Sequence, residues 1–171
     1  MRHCPHRVVI LLAAYFLLVG CGYRFSGAGD PFPPEVKTIT LESAVNNTTV
    51  TGIETELTDD LRREFALETR LNPVSSDGDV VLKTIIASYD YAPSTYTADG
   101  KELTRIGTLK VACSLLRAGT DKMLWHKDLT ASHSYTVTDS ITETLSNRRR
   151  AISRMIKDLI PRIHRSMFDN F

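Results

Sequence analysis

Cys21 is the residue with the clearest chemistry in this 171-residue chain. It closes the run Leu18-Val19-Gly20-Cys21, a small residue followed by a cysteine, which reads as a bacterial lipobox. Arg2 and Arg7 come first, then an apolar stretch from Val8 to Val19. That order, charge then apolar run then small residue, is the layout of a secretory signal peptide. The stretch is about a dozen residues, short of the roughly 20 that a membrane-spanning helix needs. A cysteine thiol directly after the small residue can be alkylated by diacylglycerol. Residues 1–20 are therefore expected to leave, with Leu18, Val19 and Gly20 read by the peptidase and Cys21 becoming a lipid-bearing N-terminus.

The other reactive residue types are not arranged for catalysis. Cys4 departs with the leader, so Cys113 is the one thiol left in the mature chain, and a lone cysteine forms no internal disulfide. It alternates with Leu109, Val111 and Leu115, a packing position for a small hydrophobe. Ser132-His133-Ser134 puts hydroxyls beside a base, but neighbours on a strand point to opposite faces. His126, His133 and His164 lack metal-ligand spacing. Phosphate-binding loops, nucleophile elbows and zinc-protease signatures are missing too. The chain is read as a non-enzyme without metal or cofactor.

Two basic groups are candidate anion contacts. Arg148-Arg149-Arg150 with Arg154 and Lys157 would form a basic shoulder on the last helix, facing solvent, lipid head groups or acidic loops of a partner. Lys101, Arg105 and Lys110 form a second group at a hairpin and on the outward parity of its following strand, where such cations can pair with phosphates.

The elements that must position these residues follow from periodicity. Residues 22–34 are rich in glycine and proline and read as a tether. Val36, Thr38, Ile39 and Leu41 predict a strand, and Asn46-Asn47-Thr48 a polar turn. Thr51-Gly52-Ile53-Glu54 spells a capping box, and Ile53, Leu57, Leu61 and Phe65 lay one stripe on a helix reaching Leu67. Val80 to Tyr91 has β-rich composition but switches parity, which a bulge or burial on both faces explains. Asp99-Gly100 turns the chain. Leu109 to Leu115 then alternate cleanly, and after a turn at 118–121 so do Met123, Trp125, Leu129, Ala131 and Tyr135. Short connections predict an antiparallel meander. A second capping box, Ser140-Ile141-Thr142-Glu143, opens a helix whose stripe is Ile141, Leu145, Ile152, Met155, Ile156, Leu159 and Ile163, with Pro161 ending or kinking it near Ile160.

The expectation is one α+β domain over 35–171, two helices on one face of a four-stranded mixed sheet, in the order β-α-β-β-β-α. Of 21 basic and 20 acidic residues the leader takes two basic ones, leaving a net charge of about −1. A broad basic field for nucleic acid is thereby excluded.

Several motifs in this order resemble the LptE family of lipopolysaccharide-assembly lipoproteins. They are Cys21-Gly22-Tyr23 with Gly27, Val36-Lys37-Thr38-Ile39, Asn46-Asn47-Thr48-Thr49, Gly52-Ile53-Glu54 with Leu57-Thr58, Asp99-Gly100, Leu124-Trp125 and Leu159-Ile160-Pro161. The resemblance implies an α/β sandwich that plugs the outer-membrane β-barrel LptD, helps it assemble, and with it inserts lipopolysaccharide into the outer leaflet. It implies lipopolysaccharide contacts at basic residues near the hairpin, carried over here to Lys101 and Arg105. Where such members hold a basic residue ahead of the turn, this chain has Ala98 and Asp99. Gly22, rather than aspartate, follows Cys21 and favours sorting to the outer membrane. Two alternatives stay open: a lipopolysaccharide-binding module acting without a barrel, and a lipoprotein activator of a cell-wall enzyme.

Overall fold

Alternation in three long strands builds the centre of the molecule. The structure is a computed structural model, and it describes residues 35–120 and 122–169. The leader, Cys21 and the 21–34 tether lie outside the described residues. The elements are β1 (Thr38–Leu41), β2 (Val45–Asn46), α1 (Ile53–Phe65), β3 (Asn72–Val74), β4 (Val80–Tyr96), β5 (Glu102–Arg117), β6 (Met123–Thr136) and α2 (Ile141–Asp169).

The sheet is mixed but has six strands rather than four. Its order is β3-β1-β4-β5-β6, with β2 also pairing β4. Strands β4, β5 and β6 form the expected antiparallel meander, while β1 runs parallel to both β3 and β4. The two additional strands are two and three residues long, too short to carry a period. One contains Pro73, which reads as a turn residue and is tolerated because β3 is an edge strand.

Both helices cover one face, α1 against β1, β2 and β3, and α2 over β6 and β5. Leu109, Val111, Cys113 and Leu115 are all buried beneath them. The parity switch in β4 is a bulge: Ile86 pairs Val111 and Ser88 pairs Lys110, so Ala87 is the extra residue. Val80, Leu82, Thr84 and Ile86 face the core before it, and Tyr89, opposite Leu109, faces the same way after it. Gly107 leaves the space that Tyr89 uses, since a Cβ there would come 2.9 Å from the phenol oxygen. At the start of β6 a second irregularity pairs Trp125 with Leu115 but Met123 with Leu116. Met123 thereby loses the inward parity expected of it and is 56% exposed.

The helix ends depart from expectation in instructive ways. Gly52, at φ 79°, caps α1 without a side-chain bond from Thr51, so half of the capping box is absent. Glu54 does reach back, accepting from the Gly52 amide at 3.1 Å and from Asn46 Nδ2 at 2.8 Å. At α2 the Ser140 hydroxyl accepts from the Glu143 amide at 3.3 Å, whereas the Glu143 carboxylate accepts from the Thr138 hydroxyl. Pro161 does not end α2, which runs on to Asp169. The missing amide costs about 3 kcal/mol in a helix interior. Burial of Ile163, Met167 and Phe168 beyond it offsets that cost, with the exposed Pro161 on the solvent side. The first two turns of α2 have no such cover. Ile141 and Leu145, expected in the core, are 78% and 47% exposed.

Candidate functional site

The nearest approach to a catalytic geometry lies on the open face of the sheet, at residues the sequence did not bring together. Ser114 Oγ is 2.9 Å from His126 Nδ1, and His126 Nε2 is 3.5 Å from Asp128 Oδ1. The pair arises because Ser114 and His126 are register partners on β5 and β6. Ser132 instead bonds Thr108 across the same two strands at 2.9 Å, not His133. His126 and Asp128 are well exposed on a flat face, where water competes for every polar contact and no donors converge on a reacting oxygen. The arrangement can do what surface hydroxyl ladders do, which is to fix the sheet. No cluster of three or more metal-ligating side chains occurs among the described residues. Burial pushes the Cys113 thiol up to about 12, so it is an inert core group.

The hairpin basic group is divided by the pleat. Lys101 is exposed in the turn, 3.9 Å from Asp99, with Gly100 at φ 82° allowing the reversal. Arg105, expected outward, has the parity of Leu109 and so shares the helix-covered face, while Lys110 points away from it. Arg105 is also engaged. Its Nε donates to Glu102 Oε2 at 2.6 Å and its guanidinium lies 4.9 Å from the Tyr91 ring centre. Lys101 is therefore the freer of the two cations.

The basic shoulder is divided as well, because successive helical residues point about 100° apart. Arg149 turns to α1, donating to the Thr51 carbonyl at 2.9 Å and approaching Glu56 at 3.5 Å. Arg150 donates to Asn147 Oδ1, and Asn147 in turn donates to the Thr136 carbonyl on the outer edge of β6. Arg150 and Arg154 line a small cavity against Tyr135, and Lys157 lines a groove with Ile160 and Pro161 on the far side. Arg148 is half-buried, on the helix face that carries Leu145 and Ile152. It forms no ion pair among the described residues.

The two ends of the sheet differ in chemistry. At the end where the described chain begins, Asp79 accepts from the Lys37 and Thr38 amides, each at 2.9 Å, and from the Thr38 hydroxyl at 2.8 Å. These bonds hold its carboxyl below the usual range. Nearby Arg117 donates to Glu35 at 2.8 Å. Between the helix C-termini, Glu68 meets Arg70 through two bonds of 3.0 Å, and Arg70 stacks 3.8 Å from the Phe168 ring. The hydrogen bonds from Arg70, opposed by partial burial, bring the Glu68 carboxyl down to about 2. His164 fits edge-on to Phe65 with ring centres 5.1 Å apart. Its Nε2 comes within 2.9 Å of Glu68 Oε2, off the hydrogen-bond axis.

At the other end, residues 90–96 of β4 are exposed on both faces. Tyr91, Tyr96, Leu103 and Ile106 join Ile141 and Leu145 as exposed large apolar side chains. An open cavity of about 630 Å³ lies here, lined by Lys101, Glu102, Leu103, Val137 and Thr138 among others. Concentrated apolar exposure of this sort marks an interaction surface. The remainder of the open sheet face carries Thr108, Lys110, Ser114, Asp128, Thr130 and Ser132 together with the exposed Ile85. Among the described residues no helix is long and apolar enough to cross a membrane.

Comparisons with known proteins agree with this picture. A family model described as LptE, lipopolysaccharide-assembly, matches residues 36–167. The fold is similar to that of rare lipoprotein B from Shewanella oneidensis, at 17% identity and a TM-score of 0.55, covering 75% of this chain and 92% of that one. It is also similar to lipoprotein B from Nitrosomonas europaea, at 16% identity and a TM-score of 0.57, covering 84% and 90%. A minor lipoprotein from Acinetobacter baumannii aligns at 17% identity and a TM-score of 0.50, covering 81% and 95%. No curated protein sequence matches the chain.

Proposed function

The chain belongs to the LptE family of lipopolysaccharide-assembly proteins, and on that premise we propose that it is a lipid-anchored plug for an LptD-like outer-membrane β-barrel. The observation that carries this reading is the extent of the family match, which takes in every strand and nearly all of both helices. In this role the protein performs no bond chemistry. Cys21, lipidated and made N-terminal by removal of residues 1–20, holds the domain at the periplasmic face of the outer membrane. The tether lets the domain enter the barrel, and the pair then delivers lipopolysaccharide to the outer leaflet.

The surface supports such a fit. Barrel lumens are polar and hydrated, and the open face of this sheet is lined by hydroxyls and scattered charges. Lys101 at the hairpin turn is the cation best placed to meet a lipopolysaccharide phosphate, because Arg105 is already held by Glu102.

Purification of the tagged chain from detergent-solubilised outer membranes tests the reading. A large, heat-modifiable β-barrel should be recovered in equal amount, and depletion of the chain should lower surface lipopolysaccharide. Recovery without a barrel, with normal surface lipopolysaccharide and altered peptidoglycan, would favour a cell-wall activator instead. Mass spectrometry of the N-terminus should find Cys21 acylated.

A further inference from the structure

Among the described residues both edges of the sheet are closed to a further strand, by different means. At the β3 edge the Asn72 amide donates to the Lys37 carbonyl at 2.8 Å, so Asn72 faces β1 and its neighbour Pro73 faces out. Proline has no N–H to offer an incoming strand. The β6 edge is 14 residues long and is the larger hazard. Val137, just past its end, donates to the Leu103 carbonyl on β5 at 2.9 Å. Alternation then turns the N–H and C=O of the even-numbered residues from 126 to 136 away from β5. Such a row is a template for any strand that can lie about 4.8 Å away.

Side chains of α2 occupy that row. Arg162 Nη1 donates to the Thr130 carbonyl at 2.8 Å, and Asn147 Nδ2 to the Thr136 carbonyl at 3.0 Å. Arg150 donates to Asn147 Oδ1, which leaves the amide nitrogen as the end that meets the strand. Arg154 comes between the two contacts and, with Arg150, lines the small cavity over Ser134 and Thr136. Asn147, Arg150, Arg154, Asp158, Arg162 and Arg165 recur every three or four residues, which places them on one stripe along the β6 side of the helix. Arginine outnumbers acid on it. A second copy adding its own β6 antiparallel to this one would be related by a two-fold axis through the sheet, with the same stripe on both sides. Its backbone would have to displace Asn147 and Arg162, and its guanidinium groups would meet their own kind. Toward the start of β6 the exposed Lys127 and Asp128 add charges that blunt the strand further.

We infer that Asn147, Arg150, Arg154 and Arg162 guard the β6 edge, holding its outward carbonyls and setting like charge against like so that a second copy of this chain cannot extend the sheet. The basic shoulder of the last helix thereby has a role that needs no ligand. Neither a barrel nor lipopolysaccharide enters into it, so the guard stands or falls apart from the function proposed above.

Native mass spectrometry of the full chain, released from detergent, measures the dimer fraction. Wild type should be monomeric. The triple variant Asn147→Ala, Arg154→Ala, Arg162→Ala should raise the dimer fraction about tenfold, and Arg162→Ala alone roughly threefold. Hydrogen exchange should show residues 126–136 gaining protection in the dimer. Adding Ser134→Pro to the triple variant removes an outward N–H without touching the ladder to β5, and should bring the dimer fraction back to within about twofold of wild type. A triple variant that melts cooperatively and stays monomeric overturns the inference. So does a dimer that persists with Ser134→Pro, or one whose new protection falls outside β6. Should the triple variant not fold, Arg162→Ala decides alone, and an unchanged dimer fraction there overturns the inference as well. A wild-type chain that already pairs through residues 126–136 contradicts it outright.

Discussion

The same three strands run through two different environments. In the half nearer residue 35, β4, β5 and β6 carry Leu82, Leu115 and Trp125 into a buried core, and side chains of both helices lock over it. In the half nearer the Asp99-Gly100 turn, the strands continue but β4 loses its cover and is exposed on both faces, while Tyr135 on β6 stays buried beside α2. Strand pairing persists across the boundary, so the far half is held by backbone hydrogen bonds and the near half by packing as well. A segment whose side chains are not needed for stability is free to be used for recognition.

Substitutions should divide along that line. Leu115→Ala, in the near half, removes a fully buried side chain and should cost about 3 kcal/mol of unfolding free energy. Leu145→Ala, in the far half, should cost less than about 0.5 kcal/mol. Urea unfolding of the mature domain measures both, and similar costs would erase the contrast. The glycines sharpen it. A Cβ on Gly78 would sit 2.7 Å from the Thr40 amide nitrogen and 2.9 Å from the Ile39 carbonyl carbon, so Gly78→Ala must move backbone and should cost about 2 kcal/mol. Gly100→Ala meets no atom within 4 Å and should cost about 1 kcal/mol, from its positive φ alone.

Charge gives a smaller and pH-dependent effect. The folded state holds the Glu68 carboxyl at about 2 against an ordinary 4.5, so its contribution is complete above the ordinary value and is lost as pH falls toward the folded one. Thermal melts should show wild type losing its advantage over Glu68→Gln between those two values, with a difference of roughly 1–2 kcal/mol at neutral pH. A constant difference across that window would remove Glu68 from the near-half lock. Arg149→Ala, at the boundary itself, should cost about 1 kcal/mol by releasing the Thr51 carbonyl and Glu56. Hydrogen exchange should then show the start of α1 fraying first.

The near half was the more legible in sequence, and for the same physical reason. Where packing decides, side-chain period reports it: Leu109 to Leu115 alternate without exception, and the parity switch in β4 marks a bulge at Ala87. Period fails where an element is too short, as in β2 and β3, or where one residue slips, as at Met123. It also fails at Pro161, whose penalty is outweighed by tertiary burial that no local pattern contains. The exposed start of α2 was hidden for a different reason. Ile141 and Leu145 have the spacing of core residues, and only the position of α1 against α2 leaves them bare. One signal was present: the stripe on the second helix is longer than the stripe on the first, so two helices side by side could not cover each other fully. Arg105 shows the reverse, a charged residue that reads as surface but lies on the inner face by parity and is paired with Glu102.

Hydrogen–deuterium exchange on the protein alone and with the proposed barrel partner tests the central claim most directly, that the far half is the interaction end. Amides of residues 90–106 and 141–148 should gain protection on binding, while those of β1, the near half of β4 and the end of α2 stay as protected as before. Protection gained in the near half, with the hairpin and the first turns of α2 unchanged, would contradict the account.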